Sequence, residues 1–283
     1  MRFGILGVGG YVARKHMEAI TTVGGQIVAA CDLSDSVGQL DRYAPRCMFT
    51  TRDEVFWQDH IHEIDTVVLC TPSWQHIGQA ITALKNGKNV VIEKPLALSH
   101  ESGSRFITDI QQYTGRVYPV VQLRYHPEVA TLRTAIDGHC TTLDIDYVVC
   151  RGPWYDESWK GQSKLSGGIL VNIGIHLFDL AVYLTGNVVD IEAAEVALHE
   201  AHGVFKTEHA RVTWRLAIVD DPAAVHRRFT VGPVSLDVSD KMSNLHKEVY
   251  RRVVSDEKGC DVASVIKSLH LIDAIKTFNI QHD

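Results

Sequence analysis

In residues 164–186, "KLSGGILVNIGIHLFDLAVYLTG", an apolar run is interrupted by Asn172, His176, Asp179 and Tyr183. Intervals of three and four stack these groups on one edge of a helix, while Ile173, Ile175, Phe178, Val182 and Leu184 point elsewhere. Such a stripe is either an internally satisfied hydrogen-bond ladder or the lining of a cleft. His176 brings to it a side chain that titrates near neutrality.

A second reactive group lies in "VVIEKPLA", which sets Glu93, Lys94 and Pro95 at the C-terminal end of an apolar strand. In an open α/β sheet that edge is where ligands bind. Pro95 cannot continue a ladder and fixes the backbone locally, so Lys94 is held at the crevice mouth. A strand-end lysine in isolation is a charged stop; this one shares its half of the chain with a glycine-rich turn.

That turn is "GILGVGGYVARKH", which follows a strand and opens a helix, the context a dinucleotide fingerprint requires. Gly7, Gly9 and Gly10 allow a tight turn and close backbone approach to a pyrophosphate at the helix N-terminus. Tyr11 and Val12 complete it, Val12 standing where the strict pattern has a third glycine, with the small Ala13 next. Asp32 ends the second strand, 23 residues after Gly9, where an acid accepts hydrogen bonds from ribose hydroxyls. No Arg or Lys occupies 33–38 to hold a 2′-phosphate, so NAD is expected over NADP.

The elements that position these groups change character along the chain. Through about residue 122, "RFGILG", "QIVAACD", "DTVVLCTP", "NVVIEKP" and "RVYPVVQLR" are continuous apolar runs separated by helix-like stretches such as "YVARKHMEAITTVG" and "HIGQAITALKNG". Continuous runs suit a parallel sheet covered on both faces, and the alternation predicts a doubly wound α/β unit. In "HARVTWRLAI" the charged or polar Arg211, Thr213 and Arg215 alternate with Val212, Trp214 and Leu216, the mark of a half-buried antiparallel strand. We expect a Rossmann domain over 1–122 and an α+β domain over 123–283 with a large, mainly antiparallel open sheet, closed by a helix in "VASVIKSLHLIDAIKTF".

Bulk properties exclude several classes. The 283 residues are 45% hydrophobic with net charge −6, enough for a large core. No basic run is present, so nucleic acid is not expected as a partner. No segment approaches a membrane span, and "MRFGILGVGG" enters a strand without a leader-like run. The six cysteines, at 31, 47, 70, 140, 150 and 260, lack metal-ligand spacing; those at 31, 70, 140 and 150 lie in or beside apolar runs, as small hydrophobes do. The expectation is a reduced cytoplasmic enzyme without a metal.

The motifs "GVGGYVA", "TPSWQH", "EKP" and "GGILVNIGIH" occur in the order and spacing of the Gfo/Idh/MocA oxidoreductases, and the chain resembles that family over its whole length. "CDLSDSVGQLDRYAP", "QLRYHPEV", "RGPWYDESWKGQSKLSGG" and "LHKEVYRRV" look like the WlbA/WbpB-type branch, UDP-N-acetyl-2-amino-2-deoxyglucuronate 3-dehydrogenases of bacterial polysaccharide synthesis. The resemblance implies an NAD-dependent oxidation of a UDP-sugar 3-hydroxyl by a homo-oligomer, with a tetramer favoured. Lys94 matches the lysine of the EKP motif and His176 the histidine of the D-x-G-x-H motif. An imidazole suits removal of a hydroxyl proton, and a neighbouring ammonium stabilises the developing alkoxide. Burial that lowers the lysine pKa would equally let Lys94 serve as the base. Asn172 stands where the family more often has aspartate; an amide can only orient.

The resemblance extends to weaker sites. Thr71 and Pro72 are expected near the cofactor, with Glu93 and His76, although His76 equally suits a helix cap. Arg124, Trp159 and Lys160 are candidates at the seam between cofactor and substrate, Trp159 equally suiting loop packing. Tyr155 and Lys164 are candidates for the uronate or diphosphate, because an acidic protein needs local cations for an anion. The family also hosts dehydrogenases of free sugars and cyclitols, and NAD-binding regulators that do not turn over. A regulator is expected to lack the lysine or the histidine, and both are present.

Overall fold

The computed structural model describes residues 1–136, 141–239, 245–257 and 259–282; Cys140 lies outside them. The first elements are β1 (Arg2–Leu6), α1 (Ala13–Thr22), β2 (Gln26–Cys31), α2 (Gln39–Tyr43), β3 (Met48–Thr50), α3 (Asp53–Val55), β4 (Thr66–Leu69), α4 (His76–Lys85), β5 (Asn89–Ile92), α5 (His100–Ile110) and β6 (Val117–Pro119). There follow α6 (Val129–Ile136), β7 (Thr141–Cys150), α7 (Trp154–Glu157), α8 (Ser163–Ser166), α9 (Gly168–Asn172) and α10 (Ile175–Thr185). Strands β8 (Val188–Val196), β9 (Glu200–Thr207), β10 (Ala210–Val219), β11 (His226–Val231) and β12 (Val234–Asp237) precede α11 (Leu245–Val254) and α12 (Val262–His282).

The chain divides into two compact units that are not contiguous: Met1–Ala97, Ser104–Gln122 and Ser243–Ala263 form one, and Leu98–Gly103, Leu123–Met242 and Ser264–Asp283 the other. In the first, six parallel strands run in the order β3-β2-β1-β4-β5-β6. The strand interiors are apolar on both faces, with Phe3, Ile5, Val67, Val68, Val90 and Val91 fully buried, as a covered parallel sheet demands. The order reverses between β1 and β4, which makes the C-terminal ends of those strands the ligand crevice of a doubly wound sheet. Helix α11 packs against α1, so a late segment returns to the first unit; a division at 122/123 leaves it out.

The second unit is built on a sheet of order β12-β11-β7-β10-β9-β8. Its pairings are antiparallel except for β7 with β10, which run parallel from Thr141↔Ala210 to Cys150↔Val219. Along β10 the alternation holds: Val212, Trp214 and Leu216 are buried while Arg211, Thr213 and Arg215 are exposed. The apolar face carries Phe205 and Trp214, whose ring centroids lie 6.4 and 5.1 Å from that of Phe178 on α10.

The single helix expected over 164–186 is three. Gly167 ends α8 with φ +81°, a left-handed conformation that carries no Cβ penalty for glycine. The chain breaks again at Ile173–Gly174, and the segment Ser163–Asn172 meets α10 at 46°. No single helix among the described residues is long and apolar enough to cross a membrane.

Candidate active site

The glycine turn of the first unit is locked to the strand ends around it. Gly7 has φ +79°, and a Cβ there would lie 2.7 Å from the Cys70 carbonyl carbon and 2.8 Å from Thr71 N. Only glycine permits that approach between the ends of β1 and β4. Gly9 N–H donates to Asp32 Oδ2 at 2.9 Å, and Ser34 N–H to Oδ1 at 3.0 Å. Each carboxylate oxygen keeps a further lone pair for a ribose hydroxyl, so the turn and the acid fit the adenosine end of NAD. Gly10 N–H closes the turn onto Gly7 O at 3.1 Å. Tyr11 is exposed, and Val12 sits at the N-terminus of α1 without a side-chain cap. Thr71 Oγ1 donates to Gln79 Oε1 at 2.6 Å, beside the half-buried Pro72.

Lys94 is half-buried between two buried neighbours, Glu93 and Pro95, and the Lys94–Pro95 peptide is cis. Glu93 faces inward. Its Oε1 lies 2.8 Å from His16 Nε2 and 3.3 Å from His246 Nε2, and its Oε2 accepts Lys94 N–H at 3.1 Å. Burial alone raises the pKa of Glu93, but the hydrogen bonds from His16 and His246 overcome it and hold the carboxyl well below the usual range. His16 reaches Tyr250 Oη at 2.7 Å through Nδ1. Burial lowers its pKa against the pull of Glu93, so the ring is neutral. One ligand atom from each of His16, Glu93 and His246 lies within 4.8 Å of the others, a set whose residue types also suit a metal. Hydrogen bonding accounts for it, because one carboxylate oxygen takes both imidazole N–H groups.

His76, buried, spans the other side of Lys94: Nδ1 lies 2.8 Å from Pro95 O and Nε2 2.9 Å from Thr71 O. Burial lowers its pKa despite both carbonyls, and a neutral ring donates to one carbonyl at a time. It ties the β4 loop to the turn after Lys94, and its two ring nitrogens are directed at backbone.

In the second unit the polar stripe separates into two roles. Arg124 grips Asp179 with Nε to Oδ2 at 2.9 Å and Nη2 to Oδ1 at 2.6 Å, and its Nη1 donates to Ser264 Oγ at 2.7 Å. The guanidinium groups of Arg124 and Arg133 lie 4.8 and 4.3 Å from the Tyr183 ring centroid. Asp179 and Tyr183 are therefore a satisfied internal network, and the guanidinium of Arg124, expected beside the cofactor, is engaged by Asp179 and Ser264. Throughout α10 every residue is buried except His176 and Tyr183. His176 and Tyr183 are half-buried, and the Tyr183 ring lies against the two arginines. Asn172, 7% exposed, ends the preceding helix.

The loop after β7 carries the remaining candidates. Lys160 Nζ lies 5.5 Å from the Trp154 ring and 5.8 Å from that of Trp159, and burial followed by repulsion from Arg151 lowers its pKa. Arg151 and Lys160 thus form a local cationic pair. Tyr155 is buried at 3% exposure, whereas Lys164 is exposed.

Three functional candidates escaped the sequence reading: His16, His246 and Tyr250. The signal for His16 was a polar residue on the apolar side of α1. His246 and Tyr250 recur at i and i+4 on the buried face of α11, a spacing that marks one face of a helix.

Residues 1–120 match the GFO_IDH_MocA oxidoreductase family, NAD-binding Rossmann fold, and residues 138–254 match its C-terminal alpha/beta domain. Among solved structures, the WlbA (WbpB) dehydrogenase from Thermus thermophilus in complex with NAD and UDP-GlcNAcA is similar at TM-score 0.89 and 31% identity, over 98% of this chain and 94% of that one. The inositol 2-dehydrogenase of Rhizobium meliloti (strain 1021) is 27% identical over 188 residues, 66% of this chain and 55% of the relative. The scyllo-inositol 2-dehydrogenase (NAD(+)) of Bacillus subtilis (strain 168) is 33% identical over 143 residues, 50% of this chain and 39% of the relative. The chain spans about half the length of these curated relatives, or less. It belongs to the Gfo/Idh/MocA oxidoreductase family, with an NAD-binding Rossmann fold followed by the family's C-terminal alpha/beta domain.

Proposed function

We propose that the protein oxidises the 3-hydroxyl of UDP-N-acetylglucosaminuronate to the 3-oxo sugar with NAD, in bacterial polysaccharide (O-antigen) synthesis. The observation that carries this reading is the near full-length likeness to the Thermus thermophilus WlbA (WbpB) dehydrogenase bound to NAD and UDP-GlcNAcA. NAD supplies the acceptor for the hydride that leaves the carbinol carbon. His176 takes the hydroxyl proton, as a group with a near-neutral pKa does well. Lys94 sets a positive charge beside the oxygen as it becomes anionic. Asn172 orients the sugar or His176 by hydrogen bonds, and the Arg151–Lys160 pair with Lys164 draws the anionic substrate.

By this reading residues 1–122 carry most of the cofactor site, and residues 123–283 bind the sugar and make the oligomer contacts. The assembly is a homotetramer through the open sheet. The free thiols at 31, 47, 70, 150 and 260 suit a reducing cytoplasm.

A second reading, a cyclitol or free-sugar dehydrogenase, draws on the inositol dehydrogenases among the relatives. Spectrophotometric assays separate the two. NADH forming with UDP-N-acetylglucosaminuronate but not with inositol or glucose supports the first. The reverse supports the second, and tight NAD binding without turnover of any polyol points to a regulator.

A further inference from the structure

We propose that Tyr250, His16 and Glu93 form a positioning chain for Lys94, closed by His246. Tyr250 Oη–H donates to His16 Nδ1, which leaves the imidazole proton on Nε2; that N–H and the one on His246 Nε2 fix Glu93 Oε1, and Glu93 Oε2 in turn holds Lys94 N–H. The inference rests on the reading of Lys94 as the group beside the reacting oxygen.

The direction of each bond follows from what each atom can do. A carboxylate only accepts, so the nitrogens facing Glu93 Oε1, at 2.8 Å and 3.3 Å, carry hydrogen. A neutral His16 then presents a lone pair at Nδ1, and the Tyr250 hydroxyl 2.7 Å away must be the donor. Burial pushes the Tyr250 pKa well above its ordinary value, so the hydroxyl keeps the proton it donates. His16 and Tyr250 are each at 0% exposure, His246 at 2% and Glu93 at 5%. A buried carboxylate with this many partners has little freedom. The backbone N–H it grips belongs to the residue whose ammonium has to be aimed.

The sequence separations give the arrangement its meaning. His16 is 77 residues from Glu93, and His246 is 153. Helix α11, which carries His246 and Tyr250, therefore sets the strand end at Lys94 although it lies far along the chain. Ring contacts support the same assembly: Tyr250 meets Phe3 edge-on at 5.6 Å, and His16 meets His246 at 5.0 Å. The chain ends on Lys94, and none of its other members is required to touch substrate. They are positioning residues.

The test compares the NAD-loaded enzyme with Tyr250→Phe, His16→Gln, His16→Leu and Lys94→Ala. Tyr250→Phe keeps the ring and removes the donor; His16→Gln keeps an N–H toward Glu93; His16→Leu keeps neither polar contact. Tyr250→Phe is expected to lower kcat by about 10-fold, and KM and the NAD Kd to stay within about two-fold, because a misaimed group costs rate more than binding. His16→Gln is expected to recover most of the kcat that His16→Leu loses. A second readout needs no turnover: ¹⁵N NMR of His16 shows protonation at Nε2 alone, and hydrogen exchange at the Lys94 amide speeds up in Tyr250→Phe. Wild-type kcat in Tyr250→Phe and His16→Leu alike, or a proton on His16 Nδ1, overturns the inference. Full activity in Lys94→Ala instead overturns the reading of Lys94, and the NMR and exchange results then judge the chain by themselves.

Discussion

The carboxylate of Asp179 is held by two parallel N–H bonds from Arg124, at 2.9 and 2.6 Å, with both side chains at or below 5% exposure. This fork assigns Asp179, on the polar edge of α10, to internal structure. Burial raises the Asp179 pKa against the attraction of Arg124, so the ion pair carries a cost in desolvation. Arg124→Met strands that carboxylate. We expect a loss of about 3–5 kcal/mol in unfolding free energy near neutral pH, smaller at pH values acidic enough to protonate Asp179. Denaturant titrations at the two pH values check it; equal losses at both count against a stranded charge.

His176→Asn keeps a hydrogen-bonding group of similar reach but takes up no proton. It is expected to lower kcat on the order of 100-fold or more, with the NAD Kd and the melting temperature near wild type. Steady-state kinetics with a fluorescence titration of NAD reads both. A variant at wild-type rate would move the base to Lys94.

Gly7→Ala places a methyl 2.7 Å from the Cys70 carbonyl carbon at φ +79°. The strain should cost about 1–3 kcal/mol and weaken NAD binding, since the turn and the Asp32 carboxylate share one set of hydrogen bonds. Asp32→Ser should leave folding intact and narrow the preference for NAD over NADP, because the acid repels a 2′-phosphate. Parallel titrations with the two cofactors test this; an unchanged preference would remove Asp32 from cofactor selection.

Acid should loosen the first unit. The folded His16 pKa lies below its ordinary 6.5, so at pH values under 6.5 the unfolded chain takes a proton that the folded one refuses, and stability falls. The Glu93 contribution, present above its ordinary 4.5, disappears as pH drops through its depressed folded value. Melting temperature should therefore decline on acidification from neutral pH, and His16→Gln should flatten the upper part of that decline. Superimposable pH profiles would contradict the assignment.

Sedimentation or light scattering should give four copies of the chain. The open sheet presents paired charges such as Arg215 with Glu200 and Lys206 with Glu192. Substituting Arg215 and Lys206 by Glu reverses their sign and should shift the assembly toward smaller species. A wild-type monomer would refute the assembly.

What the sequence made legible was local. Continuous apolar runs ending in glycine or acid marked the parallel strands, and alternation along Arg211–Leu216 marked β10. The polar spacing from Asn172 to Tyr183 runs across Gly174 and so hides the break there, while the Gly167–Gly168 pair is a stop signal. The parallel pairing of β7 with β10 joins Thr141 to Ala210, and no short-range pattern encodes such a pairing. His16 lies on the buried side of α1, but its meaning lies in Tyr250, 234 residues away. Arg124 was visible as a charge, and its partner Asp179 as part of a stripe; their pairing required the fold.

The proposed reaction removes hydride from one carbon of a sugar nucleotide, and isotope transfer reads that carbon. UDP-N-acetylglucosaminuronate deuterated at C3 should deliver its label to NADH, detected by mass spectrometry, and leave an unlabelled 3-oxo sugar. Label that stays in the sugar while unlabelled NADH accumulates, or inositol turning over in its place, would contradict it.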